Sequence, residues 1–264
     1  MSDGGEAPAS ADDVMTIIAA RALRDGALCF VGIGLPSAAA NLARRLHAPG
    51  IVLIYESGTI GAKPDVLPLS VGDGELAETA DTVVSIPEIF AHWLQAGRID
   101  IGFLGAAQID RFGNLNLTVI GPYASPRVRL PGAGGAPEIA AHAREVIVIL
   151  RHTERAFVEK LDFVTTAGFL DGGDARERAG LSGAGPTRVI TDLGVLEPHP
   201  STRELVLTHV HPGIHVASVK RATGWPLRTA DPVAVTAPVT DRELAVLRDL
   251  RRRTALAHAP PASP

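Results

Sequence analysis

The sequence predicts an α/β fold in which an open sheet is covered by helices. Two observations carry this reading. Short strands that are apolar along their whole length alternate with helical segments, and the strands stop abruptly at glycine-containing turns. A strand with no polar alternation is buried on both faces, so helices are expected on both sides of the sheet.

The elements follow in order. Asp12 or Asp13 is placed to cap a first helix carrying Val14, Ile17, Ile18 and Ala22 at helical spacing, stopped by Asp25-Gly26. Ala27–Val31 is an almost wholly apolar run and reads as the first strand. The turn Gly32-Ile33-Gly34-Leu35-Pro36 follows, and Ser37 is the expected cap of a second helix with Ala38, Leu42 and Leu46 on its apolar face. Ile51–Tyr55 is the second buried strand and ends at Glu56-Ser57-Gly58. Ser85-Ile86-Pro87-Glu88 has the form of a capping box opening a helix through Trp93. Strands are further expected in Ile99–Gly105, Val146–Leu150 and Leu205–Val210, and Thr240-Asp241-Arg242-Glu243 caps a last amphipathic helix with Leu244, Leu247 and Leu250.

The chain has 264 residues, enough for a substantial core, and its 46% hydrophobic and 20% charged content excludes global disorder. With no linker or repeat in view, one domain over residues 11–256 is expected, flanked by flexible tails at 1–10 and 257–264. Aromatics are 4% and the formal net charge is −4, which argues against a stacking or phosphate-tracking nucleic-acid surface. The one cysteine, Cys29, cannot form an internal disulfide and sits in a strand expected to be buried. No run of eighteen apolar residues suggests a membrane span, and the first ten residues do not resemble a signal peptide, so the cytoplasm is the expected location.

In open α/β sheets, sites form beyond the carboxyl ends of strands, which directs attention to Gly32–Pro36 and Glu56–Gly58. Consecutive strand-loop units would set that turn beside Glu56. Gly32 and Gly34 let main-chain N–H groups approach a reacting atom, and the following helix adds its positive end. A carboxylate facing such donors suits attack on an acyl carbonyl, with Glu56 as nucleophile and the turn as oxyanion hole. The ordinary alternative for Glu56 is a solvated turn carboxylate. A dinucleotide fingerprint is a further alternative, but its third glycine would fall at position 37, which is Ser37. The second glycine cluster, Pro131–Pro137, reads either as a flexible loop before a helix start at Glu138 or as a close-approach surface for a phosphate or pantetheine arm. Lys63 is a candidate for a substrate carboxylate or a solvated surface charge. His209 and His211, with His199 and His215, invite a metal reading, but no HExxH and no carboxylate within the run support it, and none is assigned. No GxSxG is present.

The segments FVGIGLPSAAANLAR, VLIYESGTIGAKPDVLPLSVGDGELAETADTVV, GFLGAAQIDRFGNLNLTVIG, VRLPGAGGAPEIA, KLDFVTTAGFL and VITDLGVLEP resemble the B (β) subunits of the two-subunit family I CoA-transferases. The likeness covers most of the chain from about Met15 to Trp225, and is greatest to the members that act on 3-oxoadipate. It implies an α/β domain of the NagB/RpiA/CoA-transferase type. It implies that Glu56 is the family's nucleophile, that Gly32 and Gly34 belong to a GxGxP oxyanion segment, and that Gly134, Gly135 and Ala136 form a GGA loop near the CoA thioester. Ser57 and Gly58 are then expected to contact CoA or the acid substrate. Some family members have Glu-Asn-Gly where this chain has Glu56-Ser57-Gly58. The activity implied is transfer of CoA from succinyl-CoA to 3-oxoadipate, or a related short oxo or dicarboxylic acid, through a glutamyl-CoA thioester. Coenzyme A thioester enters as substrate, no cofactor or metal is called for, and an A (α) subunit is the implied partner. An acyl-CoA hydrolase or a non-catalytic subunit of the same fold is the alternative.

Overall fold

The computed structural model describes residues 8–259; of the expected tails, residues 1–7 and 260–264 lie outside that range. The chain opens with α1 (Ala11–Arg21), β1 (Leu28–Phe30), α2 (Leu35–Leu46) and β2 (Val52–Ile54), then doubles back through β3 (Thr59–Ile60). After α3 (Gly74–Glu78) and β4 (Thr82–Val83), the single turn α4 (Ile86–Glu88) runs directly into a π-helix (Ile89–Leu94) and then β5 (Ile101–Leu104). Two small hairpins follow, β6 (Gln108–Ile109) with β7 (Leu115–Asn116) and β8 (Val119–Ile120) with β9 (Val128–Arg129). The remainder is α5 (Ala136–His142), β10 (Glu145–Ile149), α6 (Ala175–Arg178), β11 (Pro186–Ile190), β12 (Gly194–Pro198), β13 (Leu205–Val210), α7 (Val216–Arg221), β14 (Arg228–Val235) and α8 (Asp241–Ala257).

Ten of these strands form one open sheet in the order β14-β13-β12-β11-β10-β5-β1-β2-β3-β4. The central run from β11 to β2 is parallel throughout. Its strands are apolar on both faces because both faces are covered. Cys29, Leu53, Ile101 and Ile147 enter the core that includes residues of α1, α2 and α8. Their neighbours Phe30, Ile54, Val146 and Val148 enter the opposite core, beside the π-helix, α5 and α7. Fully burying a side chain such as Leu53 or Ile101 contributes about 1.5–3 kcal/mol, so this alternation holds the strand ends in place.

The connection from β1 to β2 passes through α2 on one face, and that from β5 to β10 passes through α5 on the other. β1 and β5 are neighbours, so the loops leaving their carboxyl ends diverge and open a crevice between them, at a topological switch point. Gly102 lets α5 close on β5: a β-carbon there would overlap Ile139.

Several helix starts differ from the sequence expectation. The cap of α1 is Ser10, with Asp13 as the third helical residue returning the bond in a capping box. Asp13 thereby becomes available to pair with Arg251 of α8. The cap of α2 is Gly34, not Ser37, because Pro36 fits the first turn, where its missing N–H costs nothing. Gly34 sits at φ 78°, a conformation open to glycine. The same logic moves the start of α5 to Ala136, with Pro137 in the first turn and Gly135 as cap, instead of Glu138. Ser85 does cap its helix, accepting from the Glu88 N–H, but the helix widens to π geometry and continues to Leu94. Thr240 and Glu243 form the capping box expected for α8.

Candidate active site

Glu56 stands at the tip of the β2–β3 hairpin. Tyr55 N–H donates to Thr59 O at 3.1 Å and Gly58 N–H to Tyr55 O at 3.0 Å, so Glu56 and Ser57 are the central residues of a tight turn. Gly58 follows at φ 105°, the positive-φ position such a hairpin needs. It also lies against the Val84 carbonyl, with which any β-carbon would overlap, and its own carbonyl accepts from Val84 N–H at 2.9 Å. The carboxylate is therefore mounted on a turn anchored from two sides.

The parallel register pairs Phe30 with Ile54, and Val31 N–H donates to Ile54 O at 2.8 Å. Two residues further along each strand come Gly32 and Glu56. Both line a cavity of about 450 Å³, with Ile33, Leu35 and Pro36 on one wall and the Pro131–Ala136 loop on another. Gly34 bends the turn between Ile33 and Leu35 at φ 78°. Among the described residues, the N–H groups of Gly32, Ile33 and Gly34 donate to no protein acceptor, and α2 has no side-chain cap. Gly32 and Ile33 line the cavity and Gly34 does not; Leu35 and Pro36, the first residues of α2, also line it, so the positive end of that helix is at the cavity wall.

The glycine loop closes on the carboxylate. A β-carbon at Gly134 would lie 3.9 Å from both Glu56 carboxylate oxygens, and one at Gly135 would lie 3.3 Å from Oε1. Behind Gly135 stands Phe90 of the π-helix, whose ring packs on Phe30 with centroids 6.0 Å apart. Gly134, Gly135, Ala136, Gly32 and Glu56 are therefore brought together in space. Ser57 and Gly58 lie beside the carboxylate but outside the cavity lining, and the Ser57 hydroxyl is buried without a hydrogen-bond partner.

Glu56 is the one charged side chain among the described residues lining this cavity. Larger cavities, of about 720 and 730 Å³, open elsewhere, but neither brings a carboxylate to a glycine turn. Lys63 is on the surface, paired with Asp81 at 2.6 Å, and does not line the cavity. His211 is buried with Nδ1 bonded to Thr236 and Nε2 to the Thr191 carbonyl, and no group of three metal-ligating side chains occurs among the described residues. Burial pushes the Cys29 thiol up, away from a reactive thiolate. The residue that a dinucleotide loop would need as glycine, Ser37, is buried and hydrogen-bonded to Tyr55. No helix among the described residues is long and apolar enough to cross a membrane.

Sequence reasoning did not find Phe90, Val71, Phe103 or Ile149, which make the apolar walls around the carboxylate or its glycine loop. They come from four separate segments, and nothing in their local spacing marks them. The arrangement as a whole offers a carboxylate oxygen to an electrophilic carbonyl while main-chain N–H groups stand ready for the charge that develops.

The coenzyme A transferase family model matches residues 14–222. This chain belongs to the coenzyme A transferase family. The transferase chain is 60% identical to the B (β) chain of the 3-oxoadipate CoA-transferase of Pseudomonas knackmussii, over 94% of this chain and 96% of that one. It is 36% identical to the B (β) chain of the glutaconate CoA-transferase of Acidaminococcus fermentans, over 86% of each. The crystal structure of glutaconate coenzyme A-transferase from Acidaminococcus fermentans superposes on this family member with a TM-score of 0.88 at 30% identity, covering 96% of this chain and 98% of that chain.

Proposed function

We propose that this chain is the β subunit of a CoA-transferase that moves CoA from succinyl-CoA to 3-oxoadipate, or a related short oxo or dicarboxylic acid, through a glutamyl-CoA thioester on Glu56. The observation that carries the reading is the Glu56 carboxylate held in one cavity with Gly32 and Ile33, whose N–H groups donate to no protein acceptor among the described residues. The choice of acids rests on the 60% identity to a chain of a 3-oxoadipate CoA-transferase.

A Glu56 carboxylate oxygen attacks the thioester carbonyl of succinyl-CoA. The C–S bond breaks, leaving a mixed anhydride and the CoA thiolate. The thiolate then attacks the Glu56 carbonyl carbon, the anhydride C–O bond breaks, and succinate departs. The acceptor carboxylate reverses the sequence: it attacks the glutamyl-CoA carbonyl, expels the thiolate, and the resulting anhydride is opened by that thiolate at the acceptor's own carbonyl. Glu56 is regenerated with no net proton, no redox change and no cofactor. Each tetrahedral intermediate carries an oxyanion, and the Gly32 and Gly34 N–H groups are its proposed donors. A carboxylate is a weak nucleophile, so binding of the CoA arm must contribute to the barrier reduction. The thin glycine wall at Gly134–Gly135 gives the thioester room to approach.

An A (α) subunit is the partner proposed to complete the site, and the cytoplasm its location. The test is an acceptor screen on this chain co-expressed with its α subunit. CoA transfer from succinyl-CoA should be fastest with 3-oxoadipate and should be absent without an acceptor acid. Release of free CoA with no acceptor present would favour a thioester hydrolase instead.

A further inference from the structure

We propose that the hydrogen bond between the hydroxyls of Tyr55 and Ser37 is a positioning device that sets the distance between the Glu56 carboxylate and the glycine turn. The proposal rests on the reading of Glu56 as nucleophile. Neither side chain lines the cavity, so both act through their neighbours.

The connectivity of the two turns points to this role. Tyr55 precedes Glu56 in the chain and enters the core beneath α2. Ser37 is the third residue of α2, so the backbone of Gly34–Ser37 is continuous with the donors of the turn. Beyond the bond from Val31 N–H to Ile54 O, no main-chain hydrogen bond among the described residues joins the 32–36 turn to the 55–58 turn. The Tyr55–Ser37 bond, at 3.1 Å, is the next polar tie between them.

The chemistry of the pair fits a dedicated role. Both residues are fully buried. A phenylalanine would fill the same apolar space with no polar atom to satisfy, whereas a buried hydroxyl must find a partner. The partner is itself fixed: Asn41 Nδ2 donates to the Ser37 carbonyl at 3.0 Å, Arg44 donates to Asn41 Oδ1 at 3.4 Å, and Arg44 also donates to Pro64 O at 2.9 Å. Burial raises the Tyr55 phenol, despite the opposing bonds from Ser37 and Asn41, so it keeps its proton. The tie therefore runs from the strand beneath the nucleophile to the first turn of α2, and on to the loop beyond it.

The experiment uses the complete complex with the α subunit and three variants: Tyr55→Phe, Ser37→Ala and the double variant. Succinyl-CoA is added, borohydride reduces the enzyme-bound thioester, and the rate at which the Glu56 peptide is labelled is followed beside kcat, KM and the thermal midpoint. Each single variant should slow labelling and kcat about tenfold, with KM changed less than about twofold, since a small displacement of a reacting group costs rate before affinity. The double variant should be no slower than either single, because both remove the same bond. Labelling at the unaltered rate in the single variants, or losses that multiply in the double variant, would overturn this proposal alone. Absence of labelling at Glu56 in the unaltered complex would overturn the nucleophile reading, and the positioning role with it.

Discussion

Gly135 packs so tightly between Glu56 and Phe90 that a single added carbon would touch both: a β-carbon there would lie 3.3 Å from the carboxylate Oε1 and 2.7 Å from the Phe90 ring. The glycine is thus a spatial requirement of the cavity, separate from any backbone angle. Phe90 cannot yield easily, since its own ring packs against Phe30. Gly135→Ala should therefore push the loop toward solvent and lower kcat on the order of 10²-fold, the cost of a displacement near 1 Å at a reacting centre. Steady-state kinetics beside a thermal melt checks this: Gly135 is buried, so the midpoint should fall as well, and the kcat loss should persist at temperatures where the variant is fully folded.

Removing the charge without the shape is the cleanest change at Glu56 itself. Glu56→Gln should lower transfer on the order of 10³-fold or more, because an amide cannot form the anhydride. The side chain is only half-buried, so the thermal midpoint should stay within the range of a surface substitution. Turnover at the unaltered rate in the assembled complex would indicate a scaffold instead.

Gly58 is a different kind of glycine. Its φ of 105° and its contact with the Val84 carbonyl both exclude a side chain. Gly58→Ala should cost roughly 3 kcal/mol or more, by backbone strain together with displacement of β4. Chemical denaturation measures it directly. Loss of activity here should track loss of folded protein, in contrast to Gly135→Ala.

Acid should weaken the fold in two separate windows. Burial holds His152 at about 4, below its usual 6.5, against the pull of Asp192. Between those values the unfolded chain takes up a proton that the folded chain refuses, so stability falls as pH drops from 6.5 towards 4. Glu243 covers the lower window. Burial there opposes ionisation, but bonds from Arg21 and Thr240 outweigh it and hold the carboxyl at about 2, below its usual 4.5. That contribution is present above pH 4.5 and is lost as pH falls towards 2. Urea midpoints across pH should show His152→Asn flattening the upper window and Glu243→Gln flattening the lower one.

What can be read from the sequence follows the range of the interactions involved. The strands β1, β2, β5, β10 and β13 are legible because burial writes itself as an apolar run. Glu56 and the Gly32–Pro36 turn are legible as neighbours because they leave adjacent parallel strands. Helix starts are less legible where proline and serine compete for the cap: Pro36 and Pro137 fix the first turns of α2 and α5, and Ser37 goes into the interior to meet Tyr55. The strands β11, β12 and β14 carry mixed polar and apolar residues, so no apolar run announces them. The π-helix at Ile89–Leu94 has no sequence signature, yet it supplies Phe90. That Gly134 and Gly135 close over a carboxylate far away in the chain is a consequence of α5 packing on β5, and composition alone leaves that loop open to two readings.

Catalysis as described requires the Glu56 side chain to become covalently joined to CoA during turnover. The most direct measurement is mass spectrometry of the peptide containing Glu56 after the complete complex has been treated with succinyl-CoA and borohydride. Reduction of the Glu56 carboxyl to the alcohol is expected, with activity lost in proportion and protection by prior addition of the acceptor acid. An unmodified Glu56 peptide in an enzyme that retains its activity would contradict it.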